Sequence, residues 1–240
     1  MVFAHGNIYA RKEALRFLRL LPETWRAVER TVEARETLME EGVAVREVHI
    51  LKNGWVKLVR TLPDGGSRGV GFLGPGSILG WETGDYWSNS AVALTPTTTY
   101  VVPLDLIWSS TKAGDEAMSM LMRQLTNQLG ATQNHLALMG VSSSEQRLAA
   151  LLISVAAFCG TAQDGKLELP LRRDDIADFV GMRPETVSRR MADFQRRGWI
   201  DLLPRSGVRI LEPEILRQFS TSSGVDIPDA GDRALTEPWG

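Results

Sequence analysis

The sequence predicts an α+β chain in which an all-β unit, a long helix and a helix-turn-helix unit follow one another. Three observations predict it. Residues 34 to 104 break into short β-rich pieces separated by turn residues. From Met118 to Met139 an apolar seam advances by alternating steps of four and three residues. Residues 171 to 200, LRRDDIADFVGMRPETVSRRMADFQRRGWI, hold two helical patterns that meet at a glycine turn. The corresponding units are residues 1–110, 111–140 and 141–219, followed by a flexible tail over 220–240.

A chain of 240 residues with 43% hydrophobic content can bury two modest cores. Its net charge of −2 conceals an uneven distribution. Five arginines lie between Arg183 and Arg197 against Glu185 and Asp193, while the tail carries Asp226, Asp229, Asp232 and Glu237 against Arg233. A polyanion responds to the local charge, so the total does not exclude nucleic acid. The single cysteine, Cys159, excludes an intramolecular disulfide and is compatible with a reducing cytoplasm. It lies in the apolar run LAALLISVAAFC and reads as a buried structural thiol. That run is too short for a bilayer, and the N-terminus lacks a signal-peptide core. A soluble cytoplasmic chain with no membrane partner is expected.

In the first unit Glu41-Gly42, Asn53-Gly54, Pro63-Asp64-Gly65-Gly66, Gly74-Pro75-Gly76 and Thr95-Pro96 punctuate the strands. Asn53-Gly54, between VHIL and WVKLV, is the clearest hairpin signal, because both residues tolerate the positive φ of a two-residue primed turn. His49 and His135 stand in separate segments and read as ordinary structural or surface residues. With His5 the only other histidine, no cluster of metal ligands forms, and no nucleophile is paired with a base. A jelly-roll metalloenzyme of the cupin type is thus a remote alternative, and no catalytic residue and no metal ligand is assigned.

The connecting helix places Met118, Met122, Leu125, Leu129, Thr132, Leu136 and Met139 on one seam, with Arg123, Gln124, Asn127, Gln128, Gln133 and Asn134 between them. A 3.5-residue period is that of a coiled coil, so self-association into a homodimer is expected. Packing of the helix on its own β unit is the alternative. Ser142 and Glu145 then form a capping box for the next helix, with the hinge at Val141 to Ser144.

In the last unit a supporting helix begins near Asp174 and buries Ile176, Ala177 and Val180. Pro184 suits the first position of a second helix, and Gly198 its left-handed cap. Val187, Met191 and Phe194 recur at i, i+4 and i+7, which leaves Glu185, Ser188, Arg189, Arg190, Arg196 and Arg197 outside. Such a polar, basic helix start suits the major groove. There Arg189 can bond guanine O6 and N7, Glu185 can accept from cytosine N4, and Ser188 can reach a neighbouring base or phosphate. Thr186, Arg190 and Arg183 complete the candidate DNA-binding set. WIDLL and GVRIL flank Pro204 to Gly207 as a two-stranded wing, whose Arg205 and Arg209 either touch phosphate or are merely solvated.

IADFVGM followed by ETVSR, a basic turn and GWI resembles the recognition unit of the Crp-Fnr family of dimeric bacterial transcription regulators, and the resemblance extends over residues 15 to 215. It implies a homodimer on a palindrome similar to TTGAT-N4-ATCAA, with RNA polymerase as a further partner. Pro184 stands where the catabolite activator branch carries a base-reading arginine, which disfavours that branch's half-site. FLGPGSILG resembles the family's effector-domain signature, and implies a jelly-roll β-barrel like that of cyclic-nucleotide-binding domains.

In cyclic-nucleotide-binding relatives that signature leads into a glutamate for the ribose and an arginine for the cyclic phosphate. Here Trp81 follows Gly80, and Asn89 stands before Ser90 at the arginine's place. An amide cannot replace a guanidinium that pairs bidentately with phosphate, so binding of cAMP is not expected. A lone cysteine likewise excludes the four-cysteine iron–sulfur centre of the family's namesake. No cofactor is expected. Two readings of the loop stay open. Trp81, Tyr86 and Trp87 fill the former pocket, or else Gly80, Trp81, Glu82, Asn89 and Ser90 line a site for a small apolar effector or haem.

Overall fold

The computed structural model describes residues 28–81, 84–109, 143–159, 166–168, 171–204 and 207–221, together with residue 18 and scattered helical residues between 118 and 133. The fold is α+β. In the N-terminal half the strands are β1 (Val28–Val32), β2 (Thr37–Met39), β3 (Glu47–Asn53), β4 (Val56–Thr61), β5 (Ser67–Leu73), β6 (Ile78–Leu79), β7 (Ser90–Ala93) and β8 (Thr97–Pro103). They form two four-stranded sheets, ordered β1-β8-β3-β6 and β2-β7-β4-β5, with antiparallel pairing. This is the expected all-β unit, here a roll of eight strands among the described residues.

Side chains alternate across each strand, so the roll has an inside and an outside. Leu51, Leu73, Leu79, Val56, Ala91, Ala93 and Trp87 fill the interior. On the outer face Val48, Ile50, Ile78 and Val102 pack with Ile107 of the short helix α1 (Leu104–Ser109).

The turn at residues 62 to 66 closes a true hairpin. Leu62 N–H donates to the Gly66 carbonyl at 2.8 Å, and Gly66 N–H donates to Asp64 Oδ1 at 2.9 Å. Asn53-Gly54 does not close one, contrary to expectation. Gly54 has the anticipated positive φ of 82°, yet β3 and β4 enter different sheets. The segment is a corner, fixed because Asn53 Oδ1 accepts from Thr98 N–H at 2.9 Å and because Pro96 and Thr97 press against Gly54. A primed turn and a sheet-crossing corner make the same local demand for positive φ, so the dipeptide alone does not separate them.

All described residues between 118 and 133 are helical. Met122 and Leu129 of the seam are 56% and 59% exposed in the single chain, Met118 and Leu125 half-buried, and Thr132 exposed. Leu136 and Met139 lie outside the described residues.

The C-terminal half comprises α2 (Ser144–Cys159), β9 (Lys166–Glu168), α3 (Arg173–Val180), α4 (Pro184–Arg196), β10 (Ile200–Leu202), β11 (Gly207–Ile210) and α5 (Pro213–Thr221). The cap of α2 sits one residue later than expected. Ser143 Oγ accepts from Gln146 N–H at 3.2 Å and Gln146 Oε1 from Ser143 N–H at 2.7 Å, while Glu145 is engaged elsewhere by Arg190. Cys159 ends α2, and its side chain lies outside the described residues.

The wing is larger than the expected two strands, because β9 pairs with β11 to give the order β10-β11-β9. Helix α5 extends the unit to Thr221, past the boundary expected at 219, and the tail beyond it lies outside the described residues. Its Phe219 packs on Trp199 and Phe194, with ring centroids 5.1 and 6.1 Å apart.

Candidate nucleic-acid interface

Helix α4 begins at Pro184, whose missing N–H is no loss at the first helical position. It ends in a Schellman cap. Trp199 N–H reaches the Phe194 carbonyl at 3.0 Å and Gly198 N–H the Gln195 carbonyl at 2.9 Å, with Gly198 at φ 73°. Val187, Met191 and Phe194 are buried beneath the helix against Ile176, Ala177 and Val180 of α3. The inward stripe fixes the rotation of α4, and with it the side chains that face water.

Glu185, Ser188 and Arg189 are exposed together within the first two turns, beside exposed Arg183 and half-buried Thr186. Ser188 Oγ donates to the Pro184 carbonyl at 3.1 Å, so its lone pairs are what it presents outward. Arg190 is not brought to this face. Its Nη1 lies 2.7 Å from Glu145 Oε1 on α2 and 3.2 Å from Asp193 Oδ2, which makes it a brace between helices. Arg196 also pairs with Asp193, and Arg197 stacks 4.9 Å from the Trp199 ring. In the wing Arg209 Nη1 is 3.7 Å from Asp201 Oδ2, and Arg205 lies outside the described residues.

The residues of the roll's candidate pocket differ in their surroundings. Gly80 has φ 82°, and a Cβ there would stand 3.0 Å from the Glu47 carbonyl oxygen and 3.2 Å from Trp87 Nε1. Trp87 is buried in the interior, Trp81 packs on the outer cluster, and Tyr86 is 62% exposed. Of the three aromatic residues that one of the two readings has filling the pocket, Tyr86 therefore points away, because successive residues of an extended segment face opposite sides. Asn89 is half-buried, Ser90 Oγ accepts from Glu41 N–H at 3.0 Å, and Glu82 lies outside the described residues.

Beside Trp87 the otherwise apolar interior holds a buried polar group. Fully buried His49 has Nδ1 3.1 Å from Thr99 Oγ1 and Nε2 3.3 Å from Glu47 Oε1, with the Trp87 ring edge-on at 6.3 Å. Burial, with a smaller contribution from the Arg30 charge, pushes its imidazole down to about 4.

Residues 146–219 match the Crp-like helix-turn-helix domain and residues 29–109 the cyclic nucleotide-binding domain. The transcriptional activatory protein AadR of Rhodopseudomonas palustris is 32% identical over 187 residues, covering 75% of this chain and 76% of that protein. The chain belongs to the Crp-Fnr family of transcription regulators. The nitrogen fixation regulation protein FixK of Rhizobium meliloti is 33% identical over 169 residues, covering 70% and 76% of the two chains. The solved structure of FixK2 from Bradyrhizobium japonicum shares the fold, with a TM-score of 0.71 and 22% identity over 85% of this chain and 99% of that one.

As a Crp-Fnr regulator the chain binds DNA through its helix-turn-helix and is not an enzyme. Among the described residues, no group of histidine, cysteine or acidic side chains could hold a metal ion, and no helix is long and apolar enough to cross a membrane.

Proposed function

We propose that this Crp-Fnr regulator acts as a homodimer on a palindrome similar to TTGAT, a short spacer, then ATCAA, and does so without cAMP. The observation that carries the reading is the joint exposure of Glu185, Ser188 and Arg189 at the start of α4. A carboxylate, a hydroxyl oxygen and a guanidinium offer two acceptors and one bidentate donor to base edges. Arg183 and Thr186 flank them toward phosphate, and Arg190 supports the helix from behind. Exposed Met122 and Leu129 supply apolar surface for a second copy, which would set two heads about 34 Å apart. The proposed units are residues 1–110, 111–140 and 141–219 followed by the tail, with α5 carrying the last unit on to Thr221.

Independence from cAMP rests on Asn89, which brings no positive charge to a cyclic phosphate, and on Trp87, which occupies the interior of the roll. AadR is named a transcriptional activatory protein, and RNA polymerase is the partner that such a role calls for. Selection of duplexes from a random pool by dialysed apoprotein tests both parts. Recovery of the palindrome is expected, whereas an unrelated or featureless pool refutes the specificity.

A second reading, a regulator dependent on a small effector in the roll, is favoured by one observation. Among the described residues, Trp87 Nε1 and Ser77 Oγ are buried and have no hydrogen-bond partner, and a buried orphan polar atom is costly. A ligand with acceptor atoms would satisfy them. DNA affinity that falls on dialysis and returns with the dialysed fraction would favour this reading over the first.

A further inference from the structure

The β4–β5 hairpin meets helix α3 through two matched pairs. Lys57 and Phe72 stand directly opposite each other in the register of the hairpin. Asp175 and Phe179 are four residues apart on α3, hence on one face of the helix. Lys57 Nζ donates to Asp175 Oδ1 at 2.8 Å, and the Phe72 and Phe179 rings lie 5.3 Å apart at 50°.

Neighbouring groups reinforce both contacts. Arg35 Nη2 is 3.7 Å from Asp175 Oδ2, and Lys57 Nζ is 3.8 Å from Asp178 Oδ2. The Asp175 side chain is only 2% exposed, and a carboxylate so deeply buried is tolerated only beside cations and donors. Its Oδ2 also accepts from Arg172 N–H at 3.2 Å, so one carboxylate both caps α3 and holds the roll. Phe72 belongs to the same buried cluster as Val187, Met191 and Phe194, with Trp55 and Leu94 of the roll packed against it.

The clamp grips α3 and leaves the outer face of α4 open, since Glu185, Ser188 and Arg189 are exposed while it is closed. Docking on the roll and reading DNA therefore use different surfaces. A head tethered only through the segment before α2 would sample many orientations. Two such heads would match a palindrome of fixed spacing only after being ordered on it, at a loss of affinity.

We propose that Lys57 and Phe72 are positioning residues for DNA recognition: they clamp α3 to the roll and so set the orientation in which each copy presents α4. The inference rests on the palindromic reading proposed above. It assigns the β4–β5 hairpin a part in choosing the spacer between half-sites through its contact with α3, away from the exposed face of α4.

The test measures fluorescence anisotropy of the full-length protein on three kinds of duplex: the selected palindrome, palindromes with the spacer lengthened or shortened by one or two base pairs, and a single half-site. Lys57→Met is expected to bind the favoured palindrome about tenfold more weakly and to flatten the spacer preference, with single half-site affinity unchanged. Lys57→Arg keeps the charge and should keep the parent's profile. Circular dichroism and a melting curve establish that each variant is folded, and Phe72→Leu takes the place of any that is not. A folded Lys57→Met with the parent's spacer profile overturns the inference, as does tighter binding to every duplex, which would make the clamp a restraint. A parent protein indifferent to spacing overturns the palindromic reading itself.

Discussion

Arg190 on the recognition helix reaches Glu145 on α2 across 2.7 Å, whereas its neighbour Arg189 projects into solvent. Two adjacent arginines thus differ in what they engage: one braces the helices, and the other is the residue proposed to read bases.

The division predicts opposite phenotypes. Arg189→Ala should lose preference for the palindrome over scrambled duplex by about 1–3 kcal/mol, with little change in melting temperature. Arg190→Ala should keep the ratio of specific to non-specific binding and lower stability by about 1 kcal/mol, the worth of a half-exposed ion pair. Mobility-shift titrations at fixed salt, paired with urea unfolding, separate the two.

Exposed Leu129 lies on the seam assigned to self-association. Leu129→Glu should shift the protein to monomer in sedimentation velocity and weaken palindrome binding at least about a hundredfold, because the second head no longer binds at a high effective concentration. An unchanged dimer would place the interface elsewhere.

Stability should depend on pH through His49. Its folded pKa of about 4 lies below the ordinary 6.5, so between those values the unfolded chain binds the extra proton. The stabilisation is complete above pH 6.5 and is lost as pH falls toward about 4, on the order of 3 kcal/mol in all. Urea midpoints measured across that window should fall more steeply for the parent than for His49→Gln.

Gly54→Ala tests the corner between the sheets. A Cβ would meet the Pro96 carbonyl oxygen at 2.5 Å as well as adopting a strained positive φ. A loss of about 2 kcal/mol or more is expected in denaturant unfolding. Gly42, with a similar φ of 82° but nothing within 4 Å of its added Cβ, serves as the control for backbone strain alone.

What the sequence makes legible follows the range of the interaction. The turn of the helix-turn-helix, Pro184 at the start of α4 and its three-residue inward stripe depend on spacing within one or two turns, and each is present. Residues that must find distant partners are not readable in the same way. Lys57 and Asp175 are 118 positions apart, and neither belongs to a local pattern that singles it out. Arg190 looks as solvent-facing as Arg189 until Glu145 is placed beside it. Helix α5 did carry a signal, Pro213 followed by Leu216 and Ser220 on one side, but only the ring contacts of Phe219 show what it covers. Strand β9, three residues long, gains its identity solely from β11.

The buried cluster that takes in Phe72 from the roll has a practical corollary for chimaeras. Grafting this DNA-reading half onto a foreign sensor would strip one wall from its core, unless counterparts of Trp55, Lys57, Phe72 and Leu94 travel with the graft. Swaps made at the hinge alone should yield sticky, poorly expressed hybrids, and joints that carry those four side chains across should yield tractable ones.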